Sequence, residues 1–416
     1  MGMPSKKTPK KQPSIRERAL KLLQDPDFFG KVREAVERGG LVGEERNALA
    51  IYVNAISALL EKPISTIAKG VSSAGKNFLV SRVLRLIPET AIREITSSSR
   101  TAWNYSGEDF RHKIVYLQER NDAAGAVHPV RLLISEGRLI REVTVRQNGQ
   151  WTKQRFVAEG PIAAISTTTR DRIEMDDETR NVSVWMDDSI EQTRRIIERQ
   201  LSPLPPLEDD EIEVWHEVYG LVQKRASVPV ELPEWFAEMK GKIFVNNVRV
   251  RRYFPAFLTA VRTIALIRSF KRHPEDFEAD ESIIASFLAY AKAAYIFDSA
   301  FVESLNRGDD ECLETSKAIE SIASTQDGEP VDADQLAKFL GVSYDIASAK
   351  LRSALKAGVI SRANESEKNN NKLYLPAEPP RFVPDPKEVA RELVRLKKPV
   401  TVVHPLTGKT VKFAGK

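Results

Sequence analysis

Residues 70–77 read Gly70-Val71-Ser72-Ser73-Ala74-Gly75-Lys76-Asn77. The spacing is G-x-x-x-x-G-K, with asparagine where serine or threonine usually follows the lysine. Small residues let successive backbone N–H groups curl around a phosphate. The helix N-terminus that follows adds positive potential, and the lysine reaches the β- and γ-phosphates. That chemistry needs a strand before the loop and a helix after it. Both are readable: Ile64-Ser65-Thr66-Ile67-Ala68 is a short buried-strand pattern after Pro63, and Asn77–Ile87 repeats apolar residues at helical spacing. Gly70, Ser72, Ser73, Ala74, Gly75, Lys76 and Asn77 are therefore the expected contacts of a bound ATP. A second G-K-T, Gly408-Lys409-Thr410, has Val403 where the upstream glycine should be. It reads as a turn between Val400–Val403 and Val411–Phe413.

Moving outward, strand patterns at Ala91–Ile95, Lys113–Leu117, Ile162–Ser166 and Val182–Met186 alternate with helical ones. That alternation predicts an α/β fold with a mainly parallel sheet. The second of these strands runs into Gln118-Glu119. Glu119 is placed to polarise an attacking water, and Gln118 stands where an Asp usually supports the Mg2+ shell. The third ends in Thr167-Thr168-Thr169. In one large class of phosphate-loop ATPases such a strand lies between the loop strand and the acidic strand, and its polar side chain holds water near the γ-phosphate. Thr167 and Thr168 both suit that role; threonines capping a loop are the plainer alternative. Asp176-Asp177-Glu178-Thr179-Arg180 precedes the last strand. Arg180 suits a finger reaching into a neighbouring subunit's nucleotide site, where it would neutralise charge on the phosphoryl oxygens. A surface Arg paired with its acidic neighbours is the alternative. One insertion interrupts the alternation: Leu139–Val145 and Trp151–Val157 flank Gln147-Asn148-Gly149-Gln150, and Asn-Gly favours a two-residue hairpin turn.

Loop, acidic strand, hairpin, Thr-ended strand and Arg, in that order, resemble the AAA+ superfamily. The hairpin is similar to the insertion that precedes sensor 1 in MCM-like helicases. More specifically, the chain resembles the helicase modules of phage and mobile-element primase-helicases. The matching stretches are Gly43-Glu44-Glu45, Ser72-Ser73-Ala74-Gly75-Lys76, Ile134-Ser135-Glu136-Gly137, Glu159-Gly160-Pro161 with Thr167-Thr168-Thr169, and Asp188-Ser189 with Glu191-Gln192-Thr193. They span roughly residues 40–200. The resemblance implies an AAA+ P-loop core, a ring, expected as a hexamer, and ATP with Mg2+ hydrolysed at subunit interfaces. It also implies translocation on single-stranded or forked DNA. A looser match through Arg251-Arg252-Tyr253-Phe254-Pro255 implies a helical lid with a sensor-2 arginine, either Arg252 or Arg262. The hairpin becomes the DNA grip, with Arg146 and Lys153 beside its turn as phosphate contacts. Asn77 and Gln118, the expected metal-side residues, both depart from the family pattern. An amide oxygen can still coordinate Mg2+, so weak hydrolysis in a DNA-binding ATP switch or loader is the alternative function. A protein unfoldase is a third reading, and Trp151 is the only aromatic residue near the turn.

The rest of the chain organises around this core. Length divided by about 150 gives roughly three domains. Residues 1–13 read as a basic disordered tail, 14–62 as an N-terminal helical segment and 63–205 as the ATPase core. Residues 206–325, after the proline-rich 201–206, read as the helical lid, 326–378 as a winged helix and 379–416 as a basic tail. In the winged helix, Lys350, Arg352, Lys356 and Lys372 are candidate DNA contacts, with Asn370 and Asn371 beside them. Docking to protein is the alternative there, given Asp332, Asp334 and Asp345.

Composition narrows the function class. The chain has 416 residues, a net charge of +5 and 42% hydrophobic residues. That is too apolar for disorder and too densely charged for a membrane protein. The two ends carry +10 between them and residues 13–379 carry −5, so DNA attraction is expected at tails, hairpin and wing rather than over the whole surface. One cysteine, Cys312, excludes an internal disulfide and a cysteine-ligated zinc. A zinc-bearing primase is not encoded, so priming would come from a partner. The most apolar runs are interrupted by Arg262, or by Lys292 and Asp298. No secretory signal is visible either, and a soluble cytoplasmic protein is expected.

Overall fold

The structure, a computed structural model, describes residues 13–96, 109–120, 124–147, 150–171, 173–245, 247–270, 282–306, 310–326, 328–363, 372–377, 381–394 and 399–413. Residues 1–12 of the expected N-terminal tail lie outside these residues.

Three helices come first: α1 (Ile15–Gln24), α2 (Phe28–Arg38) and α3 (Glu45–Ser57). Ser14 starts α1 with a capping box, its Oγ accepting from Glu17 N–H while the Glu17 carboxylate accepts from Ser14 N–H. In α3, Leu49, Ile51, Val53 and Ile56 are fully buried, so this helix is a central beam of the core. The alternating part follows as β1 (Thr66–Lys69), α4 (Lys76–Leu84), β2 (Ile92–Ile95), β3 (Lys113–Leu117), α5 (Ala124–Glu136), β4 (Arg138–Gln147), β5 (Gln150–Glu159), β6 (Ile162–Thr168), α6 (Met175–Glu178) and β7 (Val182–Trp185).

Five of these strands form one parallel sheet in the order β2-β3-β6-β1-β7. The Thr-ended strand β6 therefore lies between the loop strand β1 and the acidic strand β3. Pairing Leu117 with Ser166, and Ala68 with Thr167, brings the carboxyl ends of the three central strands level. Parallel strands that end together open a crevice there, where α/β proteins bind ligands. One face of the sheet packs against α3 and α4, the other against α5. Strands β4 and β5 form their own antiparallel ribbon, paired out to Gln147 and Gln150. Asn148 and Gly149, the expected turn, lie outside the described residues. The ribbon's base is buried through Leu139 and Ala158.

Beyond the sheet come α7 (Ile190–Leu201), α8 (Asp209–Arg225), β8 (Val230–Glu231), α9 (Val250–Ser269), β9 (Ile283–Ile284) and α10 (Phe287–Asn306). Helices α8 to α10 share one hydrophobic core with α1 to α4 and the sheet. Edge-to-face contacts of Trp215 with Phe28 and Tyr52, and a tilted one between Phe28 and Tyr52, join α2, α3 and α8. A second core is built from α11 (Asp310–Thr325), α12 (Ala333–Leu340), α13 (Tyr344–Ala357), β10 (Ile360–Arg362) and β11 (Tyr374–Pro376). The chain then returns to the first core with α14 (Pro386–Glu392), β12 (Val400–Val403) and β13 (Thr410–Phe413).

Two expected boundaries change. Helix α11, read as the end of the 206–325 segment, packs through Cys312, Ile319 and Ile322 on the second core. The segment 379–416, read as a tail, is folded. Phe382, Val383, Val389, Val402 and Phe413 are buried in the first core, and Asp298 accepts hydrogen bonds from the Phe382 and Val383 N–H groups. Its surplus of basic side chains describes the surface; a minority of apolar residues decides where the segment packs. The turn at Gly408-Lys409-Thr410 is as expected, with Gly408 at φ +68° between β12 and β13. Among the described residues, no helix is long and apolar enough to cross a membrane.

Candidate functional site

The loop after β1 curls through positive φ at Ser73 (+67°) and Gly75 (+85°). Gly75 is the N-cap of α4, so the first N–H groups of that helix open into the concavity. Lys76 Nζ folds back and donates to the carbonyls of Gly70 (2.9 Å) and Val71 (2.6 Å). Burial lowers its pKa, and the nearby Glu119 opposes that.

Asn77 is the hub of the site. Its Oδ1 accepts from Thr167 Oγ1 at 2.7 Å and from the Tyr116 hydroxyl at 3.3 Å. Its Nδ2 donates to Glu119 Oε1 at 3.4 Å. Glu119 sits at φ +51°, and its N–H donates to Thr167 Oγ1 at 2.9 Å. A non-glycine residue held in the left-handed region costs on the order of 1–2 kcal/mol and is most common at functional sites. The two candidate threonines therefore separate. Thr167 joins the loop to the acidic strand, while Thr168 Oγ1 accepts from the Arg170 N–H at 3.1 Å and serves as the loop cap. Gln118 ties β3 to β2 through its N–H and the Ile95 carbonyl. Among the described residues, no group of three or more His, Cys, Asp or Glu is placed to hold a metal ion.

Beside the loop is a cavity of about 750 Å3, lined by Gly40, Val42, residues 71–75, Phe78, Ile196 and Leu204. One wall is the 39–44 segment between α2 and α3, locked onto α7. Gln192 Nε2 donates to the Val42 carbonyl at 2.5 Å. Gly43 has φ +74° and lies so close to Gln192 that a Cβ there would collide with its amide. Glu44 accepts from the Asp187 N–H (2.8 Å) and Asn47 Nδ2 (2.6 Å), and burial pushes its carboxyl up to about 7.

Arg180 lies elsewhere, at a second cavity of about 440 Å3 that it lines with Lys62, Ser135, Arg251 and Arg252. Its Nε donates to Ser135 Oγ at 2.7 Å and its guanidinium to the Asp176 carbonyl. Arg252 donates to Thr179 Oγ1 on the same edge. Arg262 donates to the Val230 carbonyl at 3.2 Å. Neither Arg252 nor Arg262, the two candidate sensor-2 arginines, lines the cavity of the phosphate loop. The cause is the docking of α9: Tyr253 OH donates to the Glu178 carbonyl and seats the helix start beside α6.

Sequence reading missed a set of ion pairs, most of them buried. Lys69, the last residue of β1, is 1% exposed and donates to both Glu178 carboxylate oxygens at 2.6 Å. Arg120 pairs with Asp177 at 2.5 Å, and Arg131 pairs with Asp177 and Glu174. The available signal was a lysine ending an otherwise apolar strand, because a buried charge must have a partner.

Of the expected DNA contacts, Lys153 is exposed on β5, two residues from Trp151 and two from Arg155. The three alternate along one strand and so share one face of the ribbon; Trp151 is 71% exposed. In the second unit Arg352 and Lys372 are exposed and Lys350 is half-buried. Phe339, Tyr344 and Ile346 are exposed at the junction of α12 and α13. The side chains of Arg146 and Lys356, together with Asn370 and Asn371, lie outside the described residues.

No protein-family model matches this chain, and a search of curated proteins finds no relative.

Proposed function

We propose that the protein is an ATP-dependent DNA translocase or helicase of the AAA+ type, working as a ring in replication of a mobile element or phage. One observation carries the reading: Lys76, Asn77, Glu119 and Thr167 converge at the carboxyl ends of three adjacent strands in the order β3-β6-β1. In this reading MgATP is the substrate, with Mg2+ carried by the phosphates. The phosphates draw Lys76 Nζ from the Gly70 and Val71 carbonyls, and the nucleoside occupies the cavity beside Phe78. Glu119 takes the proton of the attacking water, and Thr167 helps to orient that water. Arg180 and Arg252 share an edge separate from that cavity. A ring of copies, of which a hexamer is the expected size, would present that edge to the next subunit's γ-phosphate. The β4–β5 ribbon grips one DNA strand through Arg146 and Lys153. We read α8–α10 as the lid and α11–α13 with β10–β11 as a winged helix. Lys350, Arg352, Lys356 and Lys372 would face DNA; the exposed Phe339, Tyr344 and Ile346 favour protein docking instead, with a separate primase as a candidate partner.

A DNA-binding ATP switch or loader with weak hydrolysis is the second reading. It is favoured by the engagement of Asn77, which ties up Glu119 and its own amide oxygen at once. Steady-state ATPase rates with and without single-stranded DNA test both readings. DNA-stimulated hydrolysis that Glu119→Gln and Lys76→Ala abolish supports the motor. Equal, negligible rates in wild type and Glu119→Gln refute it and leave the switch.

A further inference from the structure

The turn that carries Arg180 is held by buried charge. Asp177 and Glu178 are the third and second residues before it. Glu178 is clamped by Lys69 Nζ on both oxygens, and one of those oxygens also accepts from Ser183 Oγ at 2.9 Å. Asp177 is 4% exposed and is held by Arg120 and Arg131. The origins of these cations matter. Lys69 immediately precedes Gly70, the first residue of the phosphate loop. Arg120 immediately follows Glu119, and its N–H donates to the Thr167 carbonyl at 2.9 Å. Each arm of the chain's own nucleotide site thus sends one buried ion pair to the Arg180 turn.

We propose that Asp177 and Glu178 are positioning residues for Arg180, and that the Lys69–Glu178 and Arg120–Asp177 pairs couple this chain's nucleotide site to the arginine it presents to its neighbour. The inference rests on the reading of Arg180 as a finger acting on the next subunit. Buried ion pairs of fixed geometry suit such coupling. A shift of the loop or of the Glu119 strand moves the cation, and the paired carboxylate must follow or be left unpaired in a medium where that is costly. An exposed pair would be screened by water and would transmit little.

The test uses mixed rings of full-length chains and reads ATP hydrolysis. Glu119→Gln subunits lack the base but keep Arg180. Mixed with Arg180→Ala subunits, which keep the base, they restore function at the shared interfaces. Mixtures of Glu119→Gln with Glu178→Gln, and of Glu119→Gln with Asp177→Asn, should likewise hydrolyse ATP at least several-fold faster than the two components measured apart. A fluorescent ATP analogue should bind both carboxylate variants as it binds wild type. The double variant Lys69→Met/Glu178→Leu leaves no unpaired buried charge, so it remains informative if Glu178→Gln fails to fold; it should complement in the same way. Complementation by Arg180→Ala but not by the carboxylate variants overturns the positioning role alone. Failure of Arg180→Ala to complement overturns the finger reading and this inference together.

Discussion

Asn77 Oδ1 accepts a hydrogen bond from Thr167 Oγ1 at 2.7 Å, while Nδ2 of the same amide reaches Glu119 Oε1 at 3.4 Å. One side chain thus spans the gap between the phosphate loop and the acidic strand. A serine or threonine in its place is too short to hold both partners, and its hydroxyl is free to face the nucleotide.

Asn77→Thr is therefore expected to raise the rate of ATP hydrolysis at saturating ATP. On the proposed reading of Glu119 as general base, freeing it recovers part of a contribution that spans about 10^2–10^4-fold, so a gain on the order of tenfold is expected. A coupled ATPase assay checks it. An unchanged or lower rate would mean that Asn77 does not restrain the base.

The ribbon makes a prediction about DNA. Trp151, Lys153 and Arg155 share a face, and an exposed indole beside cations is the arrangement on which unstacked bases pile. Trp151→Ala should weaken single-stranded DNA binding by about 1–3 kcal/mol, with Trp151→Phe close to wild type. Lys153→Ala should reduce the salt dependence of binding by about one phosphate contact. Fluorescence anisotropy across a salt series reads both. Loss of strand displacement in Lys153→Ala with ATPase intact would tie the ribbon to movement on DNA.

Glu44 predicts a pH dependence of stability. Burial raises its carboxyl from 4.5 to about 7 in the folded chain. The folded state then holds a proton between these values that the unfolded state has released, so this residue's contribution falls as pH rises from 4.5 to 7. The span corresponds to roughly 3 kcal/mol. Urea unfolding at pH 5 and pH 8 should show a smaller pH effect in Glu44→Gln than in wild type. Parallel curves for the two proteins would place the dependence on another group.

Phe382 tests the status of the C-terminal segment. It is fully buried and stacks on Phe301 with ring centroids 4.6 Å apart. Phe382→Ala should cost about 3–5 kcal/mol in unfolding free energy, as for other buried aromatic truncations. A loss under 1 kcal/mol, typical of surface sites, would mean that the segment is a dispensable tail.

The phosphate loop, the five sheet strands and the hairpin were legible because each announces itself locally, through glycine spacing, apolar runs or an Asn-Gly pair. Thr167 and Thr168 could not be separated in sequence. Adjacent strand residues point to opposite faces, and only the register against β1 decides which of them meets Asn77. Lys69 was passed over because its partner, Glu178, is 109 residues away. The site of Arg252 depends on how a whole helix docks, which the Arg-Arg-Tyr-Phe-Pro string does not encode. The final segment was misread because net charge is an average, and a few apolar side chains such as Phe382 and Phe413 outweigh it.

The return of the chain to its first core has a practical consequence for dissecting the molecule. The unit built from α11 to β11 is an insert, tethered at both ends between α10 and α14, rather than an appendage. A stop codon before α11 would remove α14, β12 and β13 along with it and open the body around Phe301. Deleting the unit cleanly calls for an internal excision that rejoins α10 to the Phe382 segment. Grafting it onto another protein calls for a host loop that can accept both of its ends.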